Sequence, residues 1–302
     1  EKCMTHKLNG NMPIKVKKKA RGEHNAILTV LCVIFFVYAV TLIFPFVWLA
    51  FNSLKNKIEF SANPWGFPID AIGSVATNYG KIFTEFNLGA MFFNSAILSI
   101  FMPLINLFFC ACTAYAYAIH DFKGKQVLYW VAMIPMLVNI TGTLPAQYNL
   151  FVKIGIYDNM AGILLTATSG FGFAFLLFGS VFQNTSRTYH EAAEIDGAGN
   201  WRIFLQIYLP QLSAVFGAQW LLGFIGIWND YMTPYLYLPS HQTLSVGIYN
   251  ISSQVSLGFS DFSGDYPKLF AAMLISVMPV VILFAAFQEK IMNFSMGGGI
   301  KG

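Results

Sequence analysis

His190-Glu191, with Glu194 just beyond, is where this chain comes nearest to a metal-hydrolase spacing. Metal-dependent peptidases use His-Glu-x-x-His, which puts both histidines on one helical face with the glutamate as general base, and here the second histidine is replaced by Glu194. The other histidines, His6, His24, His120 and His241, are scattered. Gly297-Gly298-Gly299-Ile300-Lys301 is glycine-rich and carries a lysine, but it lacks the spacing of a phosphate-binding loop. Cys3, Cys32, Cys110 and Cys112 give no second ligand pair for zinc and read as small apolar side chains. Asp230 is the one acid inside a strongly apolar stretch, where proton relays need several. No catalytic residue and no metal site is therefore assigned.

What remains is a segment whose order has no catalytic use. Residues 184–212 are polar and small-sided between two apolar stretches. Thr188 followed by Glu191 has the capping-box spacing and predicts a short helix from about Tyr189. Asp196-Gly197 ends that helix, because glycine accepts the positive φ of a helix terminus. Asn200 then caps a second helix through Trp201–Leu209, which Pro210 marks off. Ala192 and Ala193 remove bulk from one face, with Glu191 and Glu194 beside it, so the helix–turn–helix offers a partner close approach and charge.

The elements around it are set by composition. Of 302 residues, 56% are hydrophobic and only 11% charged. A soluble domain carries about 25% charged residues, so the solvent for most of this chain is lipid. Six apolar windows, near 26–50, 91–119, 127–147, 160–183, 213–237 and 269–288, approach the ~20 residues needed to cross a bilayer. The first is too long for a signal peptide, and Phe44-Pro45-Phe46-Val47-Trp48 offers no small-residue cleavage site. Met12-Pro13-Ile14-Lys15 is expected to be the natural start.

Charge orients the spans. Seven of the 18 Lys and Arg lie in residues 1–25, a basic tail that reads as a cytoplasmic anchor. With that tail inside, segments 1–25, 120–126, 184–212 and 289–302 hold 13 Lys and Arg, against five in 51–90, 148–159 and 238–268. The positive-inside rule then makes both termini cytoplasmic. No nucleic-acid partner is expected, because no folded basic domain accompanies the tail. Pro64-Trp65-Gly66-Phe67-Pro68 suits a membrane interface, residues 78–90 are expected as a helix lying along the membrane, and 238–268, rich in Ser, Gly and Asp, as an exposed loop.

The string Glu191-Ala192-Ala193, Asp196-Gly197-Ala198, Phe204, Ile207, Leu209 and Pro210 resembles the EAA signature of inner-membrane subunits of ABC importers. Ala114-Tyr115-Ala116-Tyr117-Ala118, Ile227-Trp228-Asn229-Asp230-Tyr231, Thr243-Leu244-Ser245-Val246-Gly247 and the Gly297–Gly302 ending resemble the MalG-type branch, which serves carbohydrate uptake. The likeness covers the chain from about residue 26. One departure is Ala214, where the family often has a second proline.

The resemblance implies an all-α membrane protein of six transmembrane helices. A basic tail (1–25) precedes the permease domain (26–290), and a C-terminal cytoplasmic tail (291–302) follows it. The EAA segment at 184–212, between helices four and five, becomes a coupling helix seated on a cytoplasmic ATPase, through Glu191, Ala192, Ala193, Asp196 and Gly197. Gly299, Lys301 and Gly302 become a second ATPase contact. ATP and Mg would be bound by that partner, with no cofactor in this chain. The remaining implied partners are a second, MalF-like or MalG-like permease, an extracytoplasmic solute-binding protein and a sugar, at a bacterial or archaeal plasma membrane.

For such a cargo, Trp228, Asn229, Asp230 and Tyr231 are the candidate pathway residues, combining stacking rings with hydroxyl-matching groups. Asp230 has two readings, a sugar-hydroxyl acceptor or a structural partner near a span end, and the second is the expectation. A non-sugar solute carried by the same class of machine, or a secondary transporter, stand as alternatives.

Overall fold

The computed structural model describes residues 19–137, 143–257 and 263–297, and all regular structure among them is helical. Contacts divide the chain into two units, residues 1–49 and 50–302. The first holds most of α1 (Lys19–Ser53), which includes Pro45. From Leu28 to Val47 its side chains are exposed on every side. A helix apolar all round needs lipid or another chain about it.

In the second unit the end of α1 is tied down by polar bonds. Two capped helices follow, α2 (Lys57–Ala62) and α3 (Ala71–Glu85), with Asn56 accepting from the Glu59 N–H at 2.8 Å and Asp70 from that of Gly73 at 3.1 Å. Asn78 donates from α3 to the carbonyls of Ser53 and Lys55. Lys55 is fully buried, and its ammonium donates to the carbonyls of Asn63 and Pro64. The helix expected at 78–90 thus starts earlier, at the Asp70 cap, and stops before Asn87, whose left-handed backbone turns the chain into α4 (Leu88–Ile119).

The window at 127–147 is not one helix among the described residues. Helix α5 (Lys125–Leu137) ends before residues 138–142, which lie outside the description, and α6 (Leu144–Ile154) begins anew with Pro145 in its first turn. The window at 160–183 is broken as well, into α7 (Met160–Thr166) and α8 (Phe173–Gln183), with Gly170 and Gly172 at positive φ in the gap. Three side chains brace this gap from α4. Thr113 donates to the Gly170 carbonyl at 2.6 Å, Asn106 to the Ala167 carbonyl at 3.2 Å, and the Cys110 thiol contacts the Phe171 carbonyl.

Beyond α8 come three short elements, α9 (Arg187–Ile195), α10 (Asn200–Ile203) and α11 (Leu209–Gln211). Helix α12 (Ser213–Asn229) ends well short of residue 237, and a separate α13 (Met232–Tyr237) follows. The segment 238–268 is not the exposed loop its composition suggests. It is organised around α14 (Leu244–Leu257), with Leu244, Ile251 and Val255 buried. Those residues fall at helical spacing, which the intervening serines disguise. Ser95 of α4 accepts the Leu244 N–H at 2.7 Å. The last helix is α15 (Tyr266–Gly297).

Small residues on one helix meet large ones on the next. Cys110, Ala111, Ala114 and Ala118 of α4 are buried in one cluster with Phe175, Phe178 and Phe182 of α8. Apolar surface alone gives little drive for association in lipid, so such close packing is what holds the helices together. A second cluster joins α3, α12, α14 and α15 through Ile82, Phe224, Trp228, Ile251 and Ala272. By length and apolarity three helices among the described residues can cross a membrane, Leu28–Ser53, Leu88–Ile119 and Tyr266–Gln288. The count reaches five if each bent pair, Met160–Ser169 with Phe173–Gln183 and Asn200–Gln211 with Ser213–Asn229, is one span.

Candidate functional site

Helix α9 carries the EAA residues. Its cap is Ser186 rather than Thr188: the Ser186 hydroxyl accepts the Thr188 N–H at 3.4 Å, and Arg187 is already helical. Ser186 has the extended backbone a cap requires, while Thr188 sits inside the first turn. The helix ends as the sequence predicts. Gly197 takes φ 77°, and its N–H bonds the Glu194 carbonyl at 3.0 Å while the Ala198 N–H reaches back to Ala193 at 2.9 Å. That pairing satisfies the last carbonyls of the helix.

The two faces of α9 differ. Thr188, Glu191, Ala192 and Ile195 lie at i, i+3, i+4 and i+7 and are all exposed, Ile195 to 87%. His190 and Ala193 lie on the other side and are half-buried. The two alanines therefore do not share one bare face. Ala192 is presented outward, while Ala193 packs on the protein's own core, where its small size brings α9 close. The acids divide similarly: Glu194 lies 3.3 Å from His190, whereas Glu191 and Asp196 are exposed and form no ion pair among the described residues.

Beneath α9 is an aromatic base that the sequence pattern missed. The chain after Gly199 runs through α10 into one π turn, Phe204–Tyr208, and then α11. The extra residue of a π turn rotates successive side chains, and here Phe204 and Tyr208 both point inward and are buried. Tyr208 lies 5.1 Å from Tyr115 of α4, 5.5 Å from Phe182 of α8 and 6.0 Å from His190 of α9, ring to ring. Phe204 lies 5.1 Å from Tyr115. The signal for this base was the spacing of Phe204 and Tyr208 behind the EAA string, together with Tyr115 in the Ala-Tyr-Ala-Tyr-Ala run.

Trp228, Asn229, Asp230 and Tyr231 are adjacent at the end of α12, and all four have internal hydrogen-bond or packing partners. Trp228 is 2% exposed, stacks on Phe224 and donates its indole N–H to the Ser276 carbonyl at 3.0 Å. Asn229 donates to the Ile225 carbonyl at 2.8 Å. The Asp230 carboxylate accepts the N–H groups of Met232 and Thr233, at 2.9 and 3.2 Å, and so starts α13. Tyr231 remains partly open and stacks on Tyr249 at 4.9 Å. Gly299, Lys301 and Gly302 lie outside the described residues.

The model of one protein family, described as the binding-protein-dependent transport system inner membrane component, matches residues 88–292, which begin where α4 begins and take in α9 and its aromatic base. The chain belongs to that family. The resemblance read from the EAA string is thereby borne out. Among similar permeases, the diacetylchitobiose uptake system permease NgcG of Streptomyces coelicolor is 26% identical, over 92% of this chain and 90% of its own. The arabinooligosaccharide permease AraQ of Bacillus subtilis is 27% identical over 90% and 95%. The melibiose/raffinose/stachyose import permease MelC of the same species is 27% identical over 94% and 100%. A chain in the crystal structure of a bacterial ABC transporter that imports the acidic polysaccharide alginate shares the fold, with TM-score 0.73 and 22% identity over 92% of this chain and 99% of that one.

Proposed function

We propose that this inner-membrane component forms half of the translocation pathway of an ATP-driven ABC importer for a sugar or oligosaccharide. It crosses the plasma membrane of a bacterium or archaeon six times with both termini cytoplasmic. A related permease subunit completes the pathway, a solute-binding protein delivers the cargo from outside, and a cytoplasmic ATPase dimer binds ATP and Mg. The carbohydrate assignment is supported by the uptake systems named for the similar permeases.

The observation that carries the coupling role is the exposed face of α9, Thr188, Glu191, Ala192 and Ile195, held on a buried aromatic base. An exposed isoleucine beside the exposed acids Glu191 and Asp196, on a rigid support, fits a cleft with an apolar floor and basic rim. Closure of the ATPase pair pushes α9, and the Tyr208–Tyr115–Phe182 contacts pass the displacement to α4 and α8 as a packed body. Gly299, Lys301 and Gly302 add a second contact to the ATPase. Purification from the native membrane tests the reading. Recovery of an ATPase pair and a second permease, with hydrolysis stimulated by a sugar-loaded binding protein, supports it; a chain that transports without an ATPase refutes it.

A further inference from the structure

A cleft of about 510 Å³ opens between α4, the broken backbone before α8, and α12. That volume is within the range of small-molecule sites, about 300–1,000 Å³. Its walls include Asn106, Phe171, Phe173, Gln219 and Gly226. Irregular backbone at membrane depth persists only where protein buries it or where it lines a cavity, and Ala167–Gly172 is such backbone. Asn106 is fixed by its bonds to the Ala167 carbonyl and the Ser169 hydroxyl. Gln219 has no hydrogen-bond partner among the described residues, which leaves an amide able both to donate and to accept.

The cleft has no charge. None of its lining residues is ionisable as an acid or base near neutrality, and α4, α7, α8 and α12 contain no Asp, Glu, Lys, Arg or His. We propose that this cleft is a subsite for a neutral, hydroxyl-bearing ring, stacked on Phe171 or Phe173 and hydrogen-bonded by Gln219, and that it rejects anionic sugars. The proposal rests on reading the chain as a permease subunit. An amide and two aromatic faces match hydroxyls and C–H faces. A carboxylate would enter with nothing to compensate its lost hydration. In this respect the chain would differ from a transporter of an acidic polysaccharide.

A cysteine at position 226 tests it whatever the cargo is, because a Cβ there meets no atom within 4 Å. The variant Gly226→Cys is made in a chain whose native cysteines are replaced, and labelled in the assembled transporter with neutral hydroxyethyl and anionic sulfonatoethyl methanethiosulfonate. Gly80→Cys, on an exposed face of α3 with equal room, normalises reagent reactivity, and the ratio cancels any change in thiol ionisation. The neutral reagent is expected to react at least about tenfold faster, relative to that control. Equal normalised rates overturn the charge selection. Labelling of the isolated chain but never of the assembled transporter, with or without ATP, overturns the subsite and makes the cleft a permease–permease interface. Gln219→Cys on the same wall repeats the measurement should Gly226→Cys not fold. Failure to recover an ATPase would overturn the importer reading and is scored separately.

Discussion

The ring of Tyr208, at the end of the π turn, lies 5.1 Å from that of Tyr115 on α4, and both hydroxyls are buried without a hydrogen-bond partner among the described residues. The contact is thus one of ring against ring, and it joins the segment that follows α9 to the long apolar helix α4. Packed contacts of this kind transmit displacement because they do not compress.

Truncation should separate ring from hydroxyl. Tyr208→Ala is expected to cost about 3–5 kcal/mol, as for other buried aromatics, and to weaken the link between α9 and α4. Tyr208→Phe removes a polar atom that no described residue satisfies, and is expected to be neutral or stabilising by about 1 kcal/mol. Thermal unfolding of the detergent-solubilised chain checks both. A large loss in the Phe variant would mean that the hydroxyl has a partner after all.

Asp230 gives a sharp test of structural against transport roles. Its carboxylate caps α13 through Met232 and Thr233, a task asparagine can also perform. Asp230→Asn should keep both stability and uptake, while Asp230→Ala should lose about 1 kcal/mol of stability. Loss of uptake in the Asn variant with stability unchanged would point to a role in the pathway itself.

The loop at Asp158 has a defined pH response. Hydrogen bonds from Ser240, and then the nearby His241, hold this carboxyl below the ordinary carboxylate range. A lowered folded-state pKa means that its contribution is present above the unfolded value, about 3.9, and is lost as pH falls through the folded one. Amide exchange at Ser240, whose N–H donates to Asp158 at 3.0 Å, should therefore show the same protection at pH 7 and pH 5, at about equal intrinsic rates after correction. As pH falls through the lowered folded-state value the protection should be lost, and Asp158→Asn should not show that transition.

How far the sequence carried these features depended on whether the signal was local. The turn at Gly197 was legible because positive φ at a helix end is a one-residue requirement. The cap moved from Thr188 to Ser186 because two hydroxyl residues compete and only the path of the chain out of α8 decides between them. Ala192 and Ala193 are neighbours in sequence, and a helix turns neighbours to different sides, so the shared bare face was a misreading of spacing. Helix α14 escaped notice because its buried positions are diluted by serine, and the polar Asn94 and Ser95 that receive it lie on α4, far away in sequence. The breaks in the membrane segments were invisible to hydropathy, which averages over them.

The proposed coupling role of α9 is tested most directly by reversing the exposed charge of Glu191. Glu191→Lys, with Gly197→Pro as a second variant that removes the positive φ, is assembled with the native ATPase, partner permease and binding protein in proteoliposomes, and solute uptake is measured alongside ATP hydrolysis. The account predicts normal membrane insertion with the ratio of uptake to hydrolysis reduced by about tenfold or more, the equivalent of about 1.4 kcal/mol or more of lost coupling. Normal uptake in both variants would contradict it.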